Sequence, residues 1–135
     1  MAPEHSLRRE NHVHEAEPTP AASGVDPEVL DLDHLARYTM GNRELERELL
    51  RLFRTQIRAQ LTGVARARDA EAWRFATHTL KGVARSIGAW TIADTAENLE
   101  RLGFDGDRGD YGRLMVALAA RIAACEREIG RILGR

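Results

Sequence analysis

The sequence predicts an all-α fold: an antiparallel, up-down-up-down four-helix bundle with a short extra helix at its N-terminal side. Three observations predict it. Apolar residues recur at helical spacing in four long segments joined by short connections, and no alternating apolar-polar run argues for a strand. All four prolines (Pro3, Pro18, Pro20 and Pro27) fall within the first 27 residues, so none interrupts the four long segments. Beyond them the chain is rich in Ala, Leu, Arg and Glu, and only 5% of it is aromatic, a composition that favours helix throughout.

Residues 1–26 are polar and proline-containing without apolar periodicity, which predicts a mobile tail ahead of a bundle domain spanning 27–135. His5, His12 and His14 lie in that tail with no Cys and no rigid scaffold to fix a metal geometry, so a solvated tail is the expectation. From Pro27 to Met40, Leu32, Leu35, Ala36 and Tyr38 suffice for a short helix or two turns, and His34 within it reads as structural or surface. Gly41 ends this element and Asn42 caps the next.

The segment from about Arg43 to Arg66 carries Leu45, Leu49, Leu52, Phe53, Gln56, Gln60, Leu61 and Val64 at i, i+3/i+4 spacing, which predicts its core stripe. Leu50 and Ile57 flank that stripe and are expected to be partly exposed. Arg47, Arg51, Arg54 and Arg58 form a ridge on the reverse side, read as a solvated face. Asp69 is a suitable N-cap for the following helix, which Gly88 terminates. A further helix from about Thr91 to Leu102 has Ile92, Ala96, Leu99 and Leu102 as its stripe. The connection Gly103 to Asp110 lacks the ligand spacing and terminal bidentate Glu of a calcium loop and reads as a turn. The last helix, Tyr111 to Leu133, turns Leu114, Met115, Leu118, Ile122, Cys125, Ile129 and Ile132 inward. Cys125 has no second cysteine to pair with and is expected to act as a small buried hydrophobe.

Charge and composition exclude several classes. A net charge of −1 gives no global basic field for nucleic acid. No apolar run approaches the roughly 18 residues that span a bilayer, and no signal-peptide apolar region opens the chain, so a soluble, cytoplasmic protein is expected. There is no P-loop, no kinase-type glycine-rich loop and no paired acid cluster for Mg2+, so no ATP site and no cofactor are expected.

The chemistry concentrates in Trp73 to Ala89, WRFATHTLKGVARSIGA. On a wheel of about 100° per residue, Trp73, Ala76, Leu80, Val83, Ala84 and Ile87 cluster on one side while His78 lies opposite, facing water. Arg74, Lys81 and Arg85 share the face of His78 at i−4, i+3 and i+7. Three cations there favour a neutral, nucleophilic ring and form a cradle for an anion. Gly82, one turn beyond His78, costs about 1 kcal/mol relative to alanine in mid-helix. It lies on the reactive face rather than the apolar one, where a missing side chain lets another surface approach the imidazole. Lys81 is the only lysine in the chain, and a flexible ammonium follows a moving phosphoryl group more readily than a planar guanidinium does. Phe75 falls on the water side, about 60° from His78; a docking contact and a lean into the groove beside a neighbouring helix are both open to it.

His78-Thr79-Leu80-Lys81-Gly82, followed by Gly88-Ala89, closely resembles the H-x-L-K-G…G-A signature of histidine-containing phosphotransfer domains, the Hpt modules of bacterial two-component phosphorelays. The resemblance runs from about Leu32 to Leu133 and implies the same four-helix bundle. It implies that His78 is phosphorylated on its outer ring nitrogen, that Lys81 offsets the phosphate charge and that Gly82 leaves clearance for a partner. The partners it implies are receiver domains of response regulators and of hybrid histidine kinases. One receiver's aspartyl phosphate would donate the phosphoryl group and another receiver's aspartate would accept it, with Mg2+ on the receiver rather than on this chain. It also implies docking against the second helix and the His78 helix, which makes Leu50, Ile57 and Phe75 candidates for apolar contact. The residues themselves add Arg74 and Arg85 as partner contacts. Two rivals are a non-phosphorylated helical adaptor that binds receivers, and the two-helix dimerisation domain of a histidine kinase; four helices from one chain argue for a monomer over the latter.

Overall fold

The computed structural model describes residues 25–134. Five helices follow one another: α1 (Leu32–Tyr38), α2 (Arg43–Ala65), α3 (Ala70–Ile87), α4 (Trp90–Leu102) and α5 (Arg108–Leu133), with no strand among the described residues. The four long helices pack in cyclic order, α2 on α3, α3 on α4, α4 on α5 and α5 back on α2, while α1 rests on α2 and α3. The predicted bundle with a short extra helix is therefore the fold. The predicted tail falls mostly on residues 1–24, outside the described residues; Val25, inside its predicted boundary, is buried in the core.

Local chemistry sets the helix ends. Asn42 accepts from Leu45 N at 3.0 Å, Asp69 from Ala72 N at 2.8 Å and Asp107 from Asp110 N at 3.0 Å, each satisfying an amide that the first turn leaves without a helical partner. Gly88 closes α3 in the left-handed conformation at φ 82°. A Cβ there would lie 2.9 Å from Asp31 Cβ, because the chain ahead of α1 packs directly on this corner. Asp31 N donates to Gly88 O at 3.0 Å, and the Asp31 carboxylate accepts from His34 N at 3.0 Å and from Trp90 Nε1 at 2.9 Å. His34 stands edge-on to Trp90 with ring centroids 5.0 Å apart, a structural role in line with its sequence reading. The short first helix is thus fastened to the α3–α4 turn by a buried carboxylate whose two oxygens are both used.

The core runs along the bundle axis through Leu50, Ile57, Leu80, Ile92, Leu99, Leu118, Ile122 and Ile129, all fully buried. Trp73 closes one end: its Nε1 donates to Leu99 O at 3.1 Å, and Phe104 and Tyr111 pack on its ring. Cys125 is buried among these residues, and the loss of water around it pushes its thiol up to about 12, so it stays protonated.

The phase of α2 departs from expectation. Its buried seam is Leu50, Phe53, Ile57 and Val64, whereas Leu45 and Leu52 are exposed at 42% and 51%. The reason lies in the arginine ridge, which is not simply solvated. Arg47 donates to the terminal carbonyls of α5, Ile132 O at 3.0 Å and Leu133 O at 2.8 Å. Arg58 grips Glu126 of α5 through two hydrogen bonds, at 3.0 and 2.7 Å. These contacts turn that flank of α2 toward α5 and rotate Leu50 and Ile57 into the centre. On the helical wheel Leu45, Leu49 and Leu52 then fall across the seam from Arg47, on the flank turned toward α3.

Candidate functional site

Helix α3 buries Trp73, Thr77, Leu80, Ala84 and Ile87, and this periodicity leaves its opposite face to solvent. Thr77 belongs on the buried side because its hydroxyl is absorbed locally, donating to Trp73 O at 2.9 Å. The His78 side chain is 70% exposed. Phe75, at 74% exposure, stands free one turn earlier, which decides between its two possible placements. Asp69, Glu71, Ala72, Arg74, Phe75 and His78 line one open depression along the first half of the helix. A Cβ built on Gly82 would meet nothing within 4 Å, so no packing inside the molecule requires glycine there.

Lys81 takes a different position from its neighbours, with a side chain only 14% exposed. Its Nζ donates to Glu100 Oε1 of α4 at 2.6 Å, and the other carboxylate oxygen, Oε2, lies 3.4 Å from His78 Nδ1. The Lys81 hydrogen bond holds the Glu100 carboxyl below its ordinary value of 4.5, against a partial burial that pushes the other way. One turn away Arg85 Nη2 reaches Glu97 Oε1 at 3.1 Å, and Arg101 approaches the second oxygen of Glu97 at 3.8 Å.

The sequence alone places these cations around the imidazole with no counter-charge. Instead, Lys81 and Arg85 are each paired to a carboxylate of α4, and a negative group rather than a third cation faces Nδ1. Glu100 thus lies on the Nδ1 side of a ring that is largely exposed. His78, Lys81 and Gly82 come together with Arg74, Phe75 and Arg85 on one face. Leu50 and Ile57 do not: at 1% and 0% exposure they are core residues and cannot touch a partner. The apolar side chains that α2 offers at that flank are Leu45 and Leu52.

Glu100 went unseen in the sequence, although a signal for it existed. His78 lies ten residues before Gly88 and Glu100 eleven after Ala89, so a tight antiparallel turn brings the two level. The Ile92, Ala96, Leu99 stripe then sets the phase that leaves Glu100 on the flank toward α3. Among the described residues no group of three or more His, Cys, Asp or Glu is placed to hold a metal ion, and His5, His12 and His14 lie outside them. No helix among the described residues is long and apolar enough to cross a membrane.

Residues 48–128, more than half of the chain, match the Hpt domain, and the span holds the exposed His78 with Lys81 and Gly82 beside it. The chain belongs to the Hpt domain family. Neither a curated protein nor a solved structure matches it. Hpt domains are phosphocarrier modules of phosphorelays that interact with receiver domains and have no ATP site of their own. The His78-Thr79-Leu80-Lys81-Gly82 segment lies inside the matched span of this Hpt domain.

Proposed function

We propose that this Hpt domain carries a phosphoryl group on His78, taking it from the aspartyl phosphate of one receiver domain and delivering it to the aspartate of another. The observation that carries the reading is the outward His78 ring with Lys81 and Gly82 beside it. The Nε2 lone pair attacks phosphorus in line, the bond from phosphorus to the aspartate oxygen breaks, and its electron pair stays on the aspartate. Delivery to the next receiver reverses these steps. Such a carrier needs no cofactor of its own, because Mg2+ and the positioning of the phosphoryl group belong to the receiver.

Receivers of response regulators and of hybrid histidine kinases are the proposed partners, met by a monomer in the cytoplasm. The docking face is α3 together with the adjacent flank of α2. Phe75, Leu45 and Leu52 supply apolar contact, Arg74 and Arg85 supply charge at the rim, and Gly82 gives the clearance that lets the receiver's phosphoryl group reach Nε2. The test mixes the full chain with a receiver phosphorylated on its aspartate and follows the label. The expected result is an acid-labile, alkali-stable label on His78 that His78→Gln abolishes without unfolding the chain. A chain that binds the receiver but never takes the label is an adaptor, and that outcome overturns the reading.

A further inference from the structure

Of the three cations on the face of His78, two are already committed. Lys81 Nζ donates to Glu100 Oε1 at 2.6 Å, so that pair sums to zero charge. Arg85 Nη2 reaches Glu97 Oε1 at 3.1 Å, two turns beyond His78, where Arg101 shares the same carboxylate at 3.8 Å. Arg74 is different: it is exposed, and its guanidinium has no ion pair and no hydrogen bond among the described residues.

Arg74 lines the same open depression as Phe75 and His78, and stands one helical turn before the histidine. Residues four apart on a helix have Cβ atoms about 5–6 Å apart, well within the length of an arginine stem. Helical side chains also lean toward the N-terminus of their helix, so the imidazole covers the turn that carries Arg74 rather than the turn that carries Gly82. The carboxylates of this depression, Asp69 and Glu71, lie about two turns or more before His78, and Asp69 already accepts from Ala72 N at 2.8 Å. They repel an anion from the far end of the depression and leave the Arg74–His78 end as the positive one. A phosphoryl group on His78 brings into that end nearly two negative charges and three acceptor oxygens, which a planar guanidinium fork fits. Lys81 reaches those oxygens only by leaving Glu100, whereas Arg74 has no bond to give up.

We infer that Arg74 is a ligand of the phosphoryl group on His78 and holds the charged carrier between its two receiver encounters, a task beyond the rim contact already proposed for it. Lys81 remains the companion of the group while it moves. The inference rests on His78 being the carrier, and the test is made on the phosphorylated chain alone, where a residue that only touches the receiver has no effect. Arg74→Gln removes the charge, Arg74→Lys keeps it without the fork, and Arg54→Gln removes one cation from α2, where Arg54 extends over Gly130 of α5.

The full chain is phosphorylated by a receiver, freed of it, and its 31P resonance is followed through the second ionisation of the phosphoryl group. A neighbouring guanidinium favours the dianion and so lowers that pKa. Arg74→Gln is therefore expected to raise it by about half a unit, a shift in keeping with an exposed charge pair, while Arg74→Lys stays closer to the wild type and Arg54→Gln leaves it unchanged. At equilibrium with the receiver, Arg74→Gln is expected to lower the phosphorylated-to-free ratio of the chain about threefold. A titration that is the same in Arg74→Gln and the wild type overturns the inference and leaves the carrier reading intact. An equal shift in Arg54→Gln overturns it too, because the effect is then a distant field rather than a contact. A wild-type chain that takes no label on His78 overturns the carrier reading and the inference with it.

Discussion

Replacing Gly82 with alanine should make this protein more stable and a worse carrier. A glycine in a helix interior costs about 1 kcal/mol relative to alanine through backbone entropy and poorer shielding of the backbone. That gain is realised in full only where the new methyl group fits, and here a Cβ would meet nothing within 4 Å. For a domain of roughly this size, 1 kcal/mol moves the melting temperature by about 4 °C. Thermal unfolding of Gly82→Ala followed by circular dichroism should therefore show a rise of about that amount. In the proposed docked complex the same methyl group would stand between the helix and the incoming receiver. Overpacking of this kind costs about 1–3 kcal/mol, which slows transfer by about 5- to 150-fold.

A control comes from Gly112, which is also helical and also has nothing within 4 Å of its built Cβ, but lies on α5, diagonal to α3 across the bundle. Gly112→Ala should gain the same stability and leave transfer untouched. If Gly82→Ala transfers at the wild-type rate, and the bulkier Gly82→Leu does too, the clearance argument is refuted, whatever the melting curves show.

Three further outcomes rest on the packing and on one titrating pair. Leu50→Ala should destabilise the bundle by about 2–5 kcal/mol in urea unfolding, the cost of truncating a fully buried leucine, whereas Leu45→Ala should stay within about 0.5 kcal/mol of the wild type. Gly88→Ala should cost about 1–3 kcal/mol, because a Cβ there would both sit at φ 82° and press within 2.9 Å of Asp31 Cβ; chemical denaturation measures it. The Lys81–Glu100 pair should make stability depend on pH in one direction. Because the folded chain holds the Glu100 carboxyl below its ordinary 4.5, the pair's contribution is complete above that value and is lost as pH falls through the lower folded one. The stability gap between wild type and Glu100→Gln should therefore shrink as pH falls below about 4.

Helix boundaries were legible because local chemistry writes them: Asn42, Asp69 and Gly88 cap the helices where the sequence put them, and the prolines stay out of the way. His78 was legible for a related reason, since α3 has only one face apolar enough to bury, and that fixes the opposite one. Helix α2 offered no such single answer. Its apolar residues Leu45, Leu49, Leu50, Leu52, Phe53, Ile57, Leu61 and Val64 cover so much of the wheel that two overlapping stripes compete. The choice is made by Arg47 and Arg58 reaching α5, a contact across more than sixty positions in the chain that no local pattern encodes. Glu100 and the Asp31 clamp on Gly88 were hidden for the same reason, because each depends on the register of two elements rather than on the period of one.

The corrected phase of α2 also lets recognition be tested apart from chemistry. Leu52 is exposed on the flank of α2 proposed for docking, so on that proposal Leu52→Ala removes contact that is the same before and during transfer. Lys81, paired with Glu100 in the resting protein, is proposed to follow the phosphoryl group, and its charge would then matter most when that group is in flight. In single-turnover transfer from a phosphorylated receiver at increasing concentration, Leu52→Ala should raise the receiver concentration needed for half-maximal rate and leave the limiting rate unchanged. Lys81→Ala should do the converse, lowering the limiting rate about tenfold or more with little change at half-saturation. If both substitutions alter the same parameter, the flank of α2 is not a docking surface distinct from the reacting centre, and the exposed leucines need another explanation.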